Sequence, residues 1–194
     1  MKKSVLLHTF NSFVCIPLLL TATCFKDNWQ SNYDFSLEGI PDWTTLVINV
    51  TFCMLCEDLG FHFLHRLLHW RVIYPYVHKV HHTYVTTVSI ASEYSHPIDF
   101  IFSALIPGTL GGMILGKRMH FTTAMLWALV RTFEAIDGHC GYEFSWSPYR
   151  LIPFSTSASY HDFHHSHNVG NFSSFFSFWD TLFGQNKNFY TYLD

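Results

Sequence analysis

The sequence predicts an all-α, polytopic membrane domain, and three observations predict it. Charged residues make up only 13% of the 194-residue chain, about half the share found in soluble domains. Hydrophobic residues reach 49% and aromatic residues 19%, with 20 Phe, 10 Tyr and 6 Trp. Residues 4–25 contain no Asp, Glu, Lys or Arg, and such a run reaches roughly 33 Å as a helix, enough for a bilayer core. The same composition excludes intrinsic disorder, which needs low hydrophobicity and high charge. A net charge of −3 offers no footprint for a nucleic-acid backbone.

The first membrane segment is expected over about 4–25. Lys2 and Lys3 precede it, which places the N-terminus on the cytosolic or matrix side. Its length, its interruption by His8 and Asn11, and the lack of a small-x-small site after it favour a membrane helix over a cleaved signal. Lys26 to Asp42 holds four acidic residues, Asp27, Asp34, Glu38 and Asp42, and reads as a loop on the far side. The apolar run Trp43–Cys56 is too short to span alone. The second segment, about 43–60, is therefore expected to continue through Glu57-Asp58 past the membrane surface and deliver residues 57–70 to the near face.

Two more segments are expected over about 98–116 and 119–137. Pro107, Gly111, Gly112 and Gly116 make the first irregular, and Lys117-Arg118 separates the two. That basic pair falls on the far side, against the positive-inside trend, which a hairpin that does not fully cross would resolve. From Gly138 onward the chain is aromatic and polar without a membrane-length run. No repeat or linker divides it, so residues 1–194 read as one domain. The five cysteines are odd in number, and Cys53-Met-Leu-Cys56 has no second pair to complete a zinc site. They are expected to be small buried hydrophobes, with no disulfide scaffold.

Histidine is the anomaly. There are 14, against 11 Lys and Arg together, and each buried imidazole needs a partner. His65-Arg-Leu-Leu-His69 has helical i, i+4 spacing. His78-Lys-Val-His81-His82 and His161-Asp-Phe-His164-His165 share the spacing H-x-x-H-H, whose three positions are expected to lie on one face and converge on one point. One zinc takes four ligands and a haem one or two; there is no HExxH motif and no glycine-rich phosphate loop. Two transition metals with four or five nitrogens each would use the whole set, giving a dimetal site at the membrane surface. Neutral ligands leave the metal charge uncompensated. Carboxylates near the clusters, Asp162, Glu93, Asp137 and Glu134 with Glu57 and Asp58, are therefore expected to accept the distal ring N–H groups.

These boxes resemble the fatty acid hydroxylase/sterol desaturase family of membrane di-iron oxygenases, whose hallmark is H-x3-H followed by two H-x-x-H-H. Within it the chain looks most like the 4-methylsterol oxidases. Supporting strings include Ser92-Glu-Tyr-Ser-His96-Pro97, Asp137-Gly-His139-Cys-Gly-Tyr142, Gly170-Asn-Phe172 and Phe178-Trp179-Asp180, and the likeness runs from about residue 8 to Gly184. The resemblance implies two irons held by His65, His69, His78, His81, His82, His139, His161, His164 and His165, with His96 as a tenth ligand or an outer partner. It implies O2-dependent oxidation of a sterol or related lipid, with electrons from NAD(P)H through a reductase or b-type cytochrome. It also implies an endoplasmic reticulum membrane. Because no lysine-rich retrieval tail follows Tyr190, another organelle membrane such as the mitochondrial inner membrane stays open. The alternative function is a shortened family member serving as an accessory subunit of a larger membrane complex, and zinc is the alternative metal. One departure concerns substrate: sterol methyl oxidases tend to carry a histidine four residues before the first box, where this chain has Phe61, with His62 adjacent.

Overall fold

Two prolines shape two of the long helices. The computed structural model describes residues 1–194. In it α1 (Lys2–Lys26) widens into a π-helical stretch at Asn11–Cys15, just ahead of Pro17. The third long helix, α3 (Pro97–Arg118), does the same at Phe100–Leu105, ahead of Pro107. Proline lacks an N–H and its ring crowds the carbonyl four residues back; the wider turn makes room for it without breaking the helix.

Between them, α2 (Trp43–Leu68) starts at Asp42, whose carboxylate accepts from the Thr45 N–H at 2.9 Å. Its 26 residues reach about 39 Å, longer than the roughly 30 Å hydrocarbon core of a bilayer. Its C-terminal half buries Glu57, Asp58, His62 and His65. Gly111 of α3 lets α2 and α3 meet closely, since a Cβ there would stand 2.7 Å from the Cys53 Cα. The fourth helix, α4 (Phe121–Gly138), is tied to α3 by the Trp127 indole N–H, which donates to the Gly108 carbonyl at 2.7 Å.

The four helices alternate in direction. At one end Ser4, His8 and Asn11 of α1 bond Tyr84, Glu93 and the Ser95 carbonyl, and α2 and α4 both finish there in histidines. At the other end Lys117 donates to the Tyr33 carbonyl at 3.4 Å and Asp34 pairs with His120. The acidic loop and the basic pair thus share the end away from the histidines, as the sequence reading expected. Three helices, α1, α2 and α3, are long and apolar enough to cross a membrane. The fourth expected segment carries Arg131, Glu134 and Asp137 and is not among them.

Burial is inverted relative to a soluble domain. The buried side chains include 24 polar or charged residues against 14 hydrophobic ones, while Phe13, Leu18, Val47 and Met113 face outward. Lipid accepts apolar side chains as readily as a protein interior does, but leaves polar groups unsatisfied, so the interior collects the polar ones. The main apolar cluster joins Cys53 and Met54 to Met119, Ala124, Trp127 and Phe175. All five cysteines are free thiols.

After α4 the chain adds α5 (Ala158–His167), α6 (Phe178–Phe183) and α7 (Lys187–Leu193). Ser157 caps α5 by accepting from the Tyr160 N–H at 3.0 Å, and left-handed Asn168 ends it. The segment His78–Thr83 is a tighter 3-10 helix.

Candidate metal centre

Four elements deliver histidines to one end of the bundle. The last turn of α2 carries His65, with His69 as its C-cap. The 3-10 segment carries His78, His81 and His82, the end of α4 presents His139 as its cap, and α5 carries His161, His164 and His165.

The structure sorts these nine into two groups. His65, His69, His78, His82 and His164 form one; His81, His139, His161 and His165 form the other; within each, the candidate donor atoms lie within 4.8 Å of one another. This corrects the expectation that each H-x-x-H-H converges on a single point. Both boxes split, sending two histidines to one group and one to the other. In α5 the reason is angular: adjacent residues diverge by about 100° around an α-helix, whereas i and i+4 differ by about 40°. His161 and His165 therefore stay together while His164 turns to the other group.

Hydrogen bonding fixes the ring tautomers. Nδ1 of His65 faces the Phe172 carbonyl at 2.9 Å, that of His81 the Tyr94 carbonyl at 3.3 Å, and that of His139 the Ala135 carbonyl at 2.8 Å. Nδ1 of His164 faces the Gly170 carbonyl at 2.6 Å and that of His165 the Tyr84 carbonyl at 3.0 Å. A carbonyl only accepts, so in all five Nδ1 carries the hydrogen and Nε2 is left as a bare lone pair. The sixth, His78, places Nδ1 2.8 Å from the Asp99 carboxylate.

The Nε2 atoms turn inward. They stand 3.0 Å apart for His65 and His78 and 3.2 Å for His78 and His82. In the other group the separations are 3.3 Å for His81 and His139, 2.9 Å for His139 and His161, and 3.1 Å for His161 and His165. The buried Nε2 atoms of His69 and His164 have no hydrogen-bond partner. Protonation does not relieve this crowding. Burial first, then repulsion from neighbouring histidines, lowers His69, His78, His82, His139, His161 and His164 well below the ordinary imidazole value. Burial pushes His81 and His165 down to about 4. Lone pairs facing each other at these distances need a cation between them. Nitrogens about 2.1 Å from a common cation stand about 3.0 Å apart at a right angle and about 3.4 Å apart at a tetrahedral one. The donor set fits a pair of transition-metal ions.

The carboxylates expected to back the histidines are otherwise engaged. Asp162 accepts from the Thr87 N–H and hydroxyl at 2.8 and 2.9 Å, and Glu93 pairs with His8 at 2.9 Å. Asp137 pairs with Arg150 at 2.6 Å and Glu134 with Arg131 at 3.1 Å. Glu57 is held by Arg131, and Asp58 accepts from the Phe176 N–H at 2.9 Å. Most of the outer acceptors are backbone carbonyls instead, and the one carboxylate directly on a clustered ring is Asp99. Its signal in the sequence was a lone acid opening an apolar run, three residues after His96. His96 itself lies outside both groups: its Nδ1 caps α3 by accepting from the Ile98 N–H at 3.2 Å. Phe61 lies against His65 with ring centroids 4.8 Å apart and planes tilted by 52°. His62 points away, its Nδ1 3.3 Å from the Ser173 hydroxyl.

A cavity of about 510 Å³ opens beneath the histidines. His65, His78, His81, His139 and His161 line one end, Ala104, Gly108, Ala124 and Trp127 the middle, and Tyr33 with Gly112 the other. It therefore touches both groups and extends between α3 and α4 toward the opposite end of the bundle.

A sequence profile described as fatty acid hydroxylase matches residues 50–185. Methylsterol monooxygenase 1 of Gallus gallus is 35% identical over 180 residues, covering 93% of this chain and 59% of that protein. Methylsterol monooxygenase 1 of Rattus norvegicus is 36% identical over 195 residues, covering 99% and 63%. A very-long-chain aldehyde decarbonylase of Oryza sativa subsp. indica is 36% identical over 179 residues, covering 91% and 65%. The chain spans about three fifths of the length of these relatives. No solved structure matches it.

Proposed function

The chain belongs to the fatty acid hydroxylase family, and on that premise we propose that it is an iron-dependent membrane oxidase of a sterol or related lipid, most like one oxidising a sterol 4-methyl group with O2. The observation that carries the proposal is the convergence of nine histidines on two points at the head of a cavity. His65, His69, His78, His82 and His164 would hold one iron, and His81, His139, His161 and His165 the other. When bound, the two irons supply dioxygen activation toward an unactivated C–H bond.

The chain's own residues do the rest. Hydrogen bonds from Nδ1 stop the rings of His65, His81, His139, His164 and His165 from turning and keep their Nε2 lone pairs aimed inward. Wall residues from α3 and α4 such as Ala104, Ala124 and Trp127 give the cavity an apolar middle suited to a flat lipid body. Trp127 is fixed there by its bond to Gly108. A substrate whose reacting carbon reaches the histidine end would lie with its remainder toward Tyr33.

Two of the relatives carry methylsterol monooxygenase names, which favours a sterol, and the rice relative keeps a long-chain aldehyde as the competing substrate. Electrons would come from NAD(P)H through a reductase or b-type cytochrome meeting the histidine end, and the endoplasmic reticulum is the membrane this reading assigns. The test is metal content of the gently purified chain by elemental mass spectrometry, followed by 4-methylsterol turnover with NAD(P)H and reductase. About two irons per chain and a 4-carboxysterol product are expected; a metal-free, inert chain would sink the proposal.

A further inference from the structure

The two groups of histidines differ in what stands behind them. In the four-histidine group the Nδ1 acceptors of His81, His139 and His165 are the carbonyls of Tyr94, Ala135 and Tyr84, with no carboxylate on those rings. In the five-histidine group His78 is backed directly by Asp99 at 2.8 Å. A second carboxylate reaches the same group by a less direct route.

Asp180 is fully buried in α6. Its Oδ2 accepts from the Ser173 N–H at 2.9 Å and the Tyr160 hydroxyl at 2.8 Å, and its Oδ1 accepts from the Phe172 N–H at 3.0 Å. The Ser173 N–H and the Phe172 carbonyl are the two ends of one peptide group, and that carbonyl accepts from His65 Nδ1 at 2.9 Å. A peptide whose N–H is bound to a carboxylate carries more negative charge on its oxygen. That oxygen is then a stronger acceptor, and the imidazole donating to it becomes a more basic ligand at Nε2.

We propose that Asp180 is a positioning residue for the five-histidine centre, acting on His65 through the peptide between Phe172 and Ser173. The same carboxylate holds the segment 170–173 in place, and Gly170 of that segment supplies the acceptor for His164 at 2.6 Å. Asp180 thus governs two ligands of one group without touching either. No peptide behind the four-histidine group is bound to a carboxylate in this way. With two carboxylates behind it, the five-histidine centre takes up a divalent metal first and more tightly. The inference rests on the metal-site reading above.

The experiment is an anaerobic titration of the full chain, in lipid nanodiscs, with ferrous iron alone. The wild-type protein binds two irons in two resolved steps. Asp180→Asn weakens the tighter step by up to about tenfold, at the low end of the loss for a direct outer partner, and leaves the weaker step in place. Equal weakening of both steps, or no change in either, overturns the proposal. Tyr160→Phe provides a gentler variant should Asp180→Asn fail to fold. Removing one donor leaves more of the carboxylate's charge on the Ser173 N–H, so the tighter step becomes tighter still even as the protein melts earlier. An unchanged or weaker step there overturns the relay. A wild-type chain that takes up no iron removes the metal-site reading itself, a result separate from failure of the relay alone.

Discussion

The rings of His82 and His165 lie face to face, with centroids 4.5 Å apart and planes 24° from parallel. Each belongs to a different group of candidate ligands, so the two centres share a wall of stacked imidazole. A change at one centre has a short physical path to the other.

His164→Ala and His81→Ala each remove one donor from a different group. Both variants are expected to lose turnover completely, and each to hold at most one iron per chain. Elemental analysis beside an activity assay checks this. Two irons or retained turnover in either variant would contradict the assignment.

Asp99→Asn replaces the carboxylate that accepts from His78 Nδ1 with an amide. Loss of an outer partner of this kind typically costs about 10–100-fold in metal affinity. The loss should fall on the five-histidine centre, read as a weakened first step in iron titration.

Gly108→Leu tests the cavity separately from the metals. Nothing lies within 4 Å of a Cβ built at Gly108, so the backbone tolerates the new side chain while the chain volume fills the cavity. The variant should keep its full metal content and lose binding of a tritiated 4-methylsterol.

Gly111→Val tests the helix contact. Its Cβ would collide with the Cys53 backbone on α2, a clash no rotamer can relieve. Overpacking of this kind destabilises by about 1–3 kcal/mol, visible as a lower melting temperature in detergent.

Acidification should destabilise the metal-free protein. His81 and His165 titrate near 4 in the folded chain because they are buried, against about 6.5 when unfolded. Between those values the unfolded chain binds more protons, so stability falls as pH drops from about 6.5 to about 4. The melting temperature of chelator-treated protein across that window checks the sign; a flat profile would count against buried neutral rings.

Much of this was legible in the sequence. The uncharged run ahead of Lys26, the continuation of α2 beyond Cys56 and the three histidine boxes followed from spacing and composition, whereas His139 entered only through the family resemblance. What was not legible depended on contacts between distant segments. Box membership could not show that His164 parts from His161 and His165, because the divergence of neighbouring residues matters only once two targets exist. The outer acceptors were misassigned because carboxylates close in sequence, such as Asp162, were free to turn to Thr87 instead. Asp99 and Asp180 matter through partners 21 and 8 residues away, at distances that no local motif encodes.

The division of each histidine box between the two groups also sets an order in time. His164 completes one group, and His161 with His165 completes the other. Neither can close until the ribosome has released α5, by which point all four long helices have been synthesised. On the proposed metal-site reading, loading is therefore a closing event in biogenesis. A nascent chain stalled before residue 161 would carry the four long helices with four of the five histidines of one group and two of the four of the other.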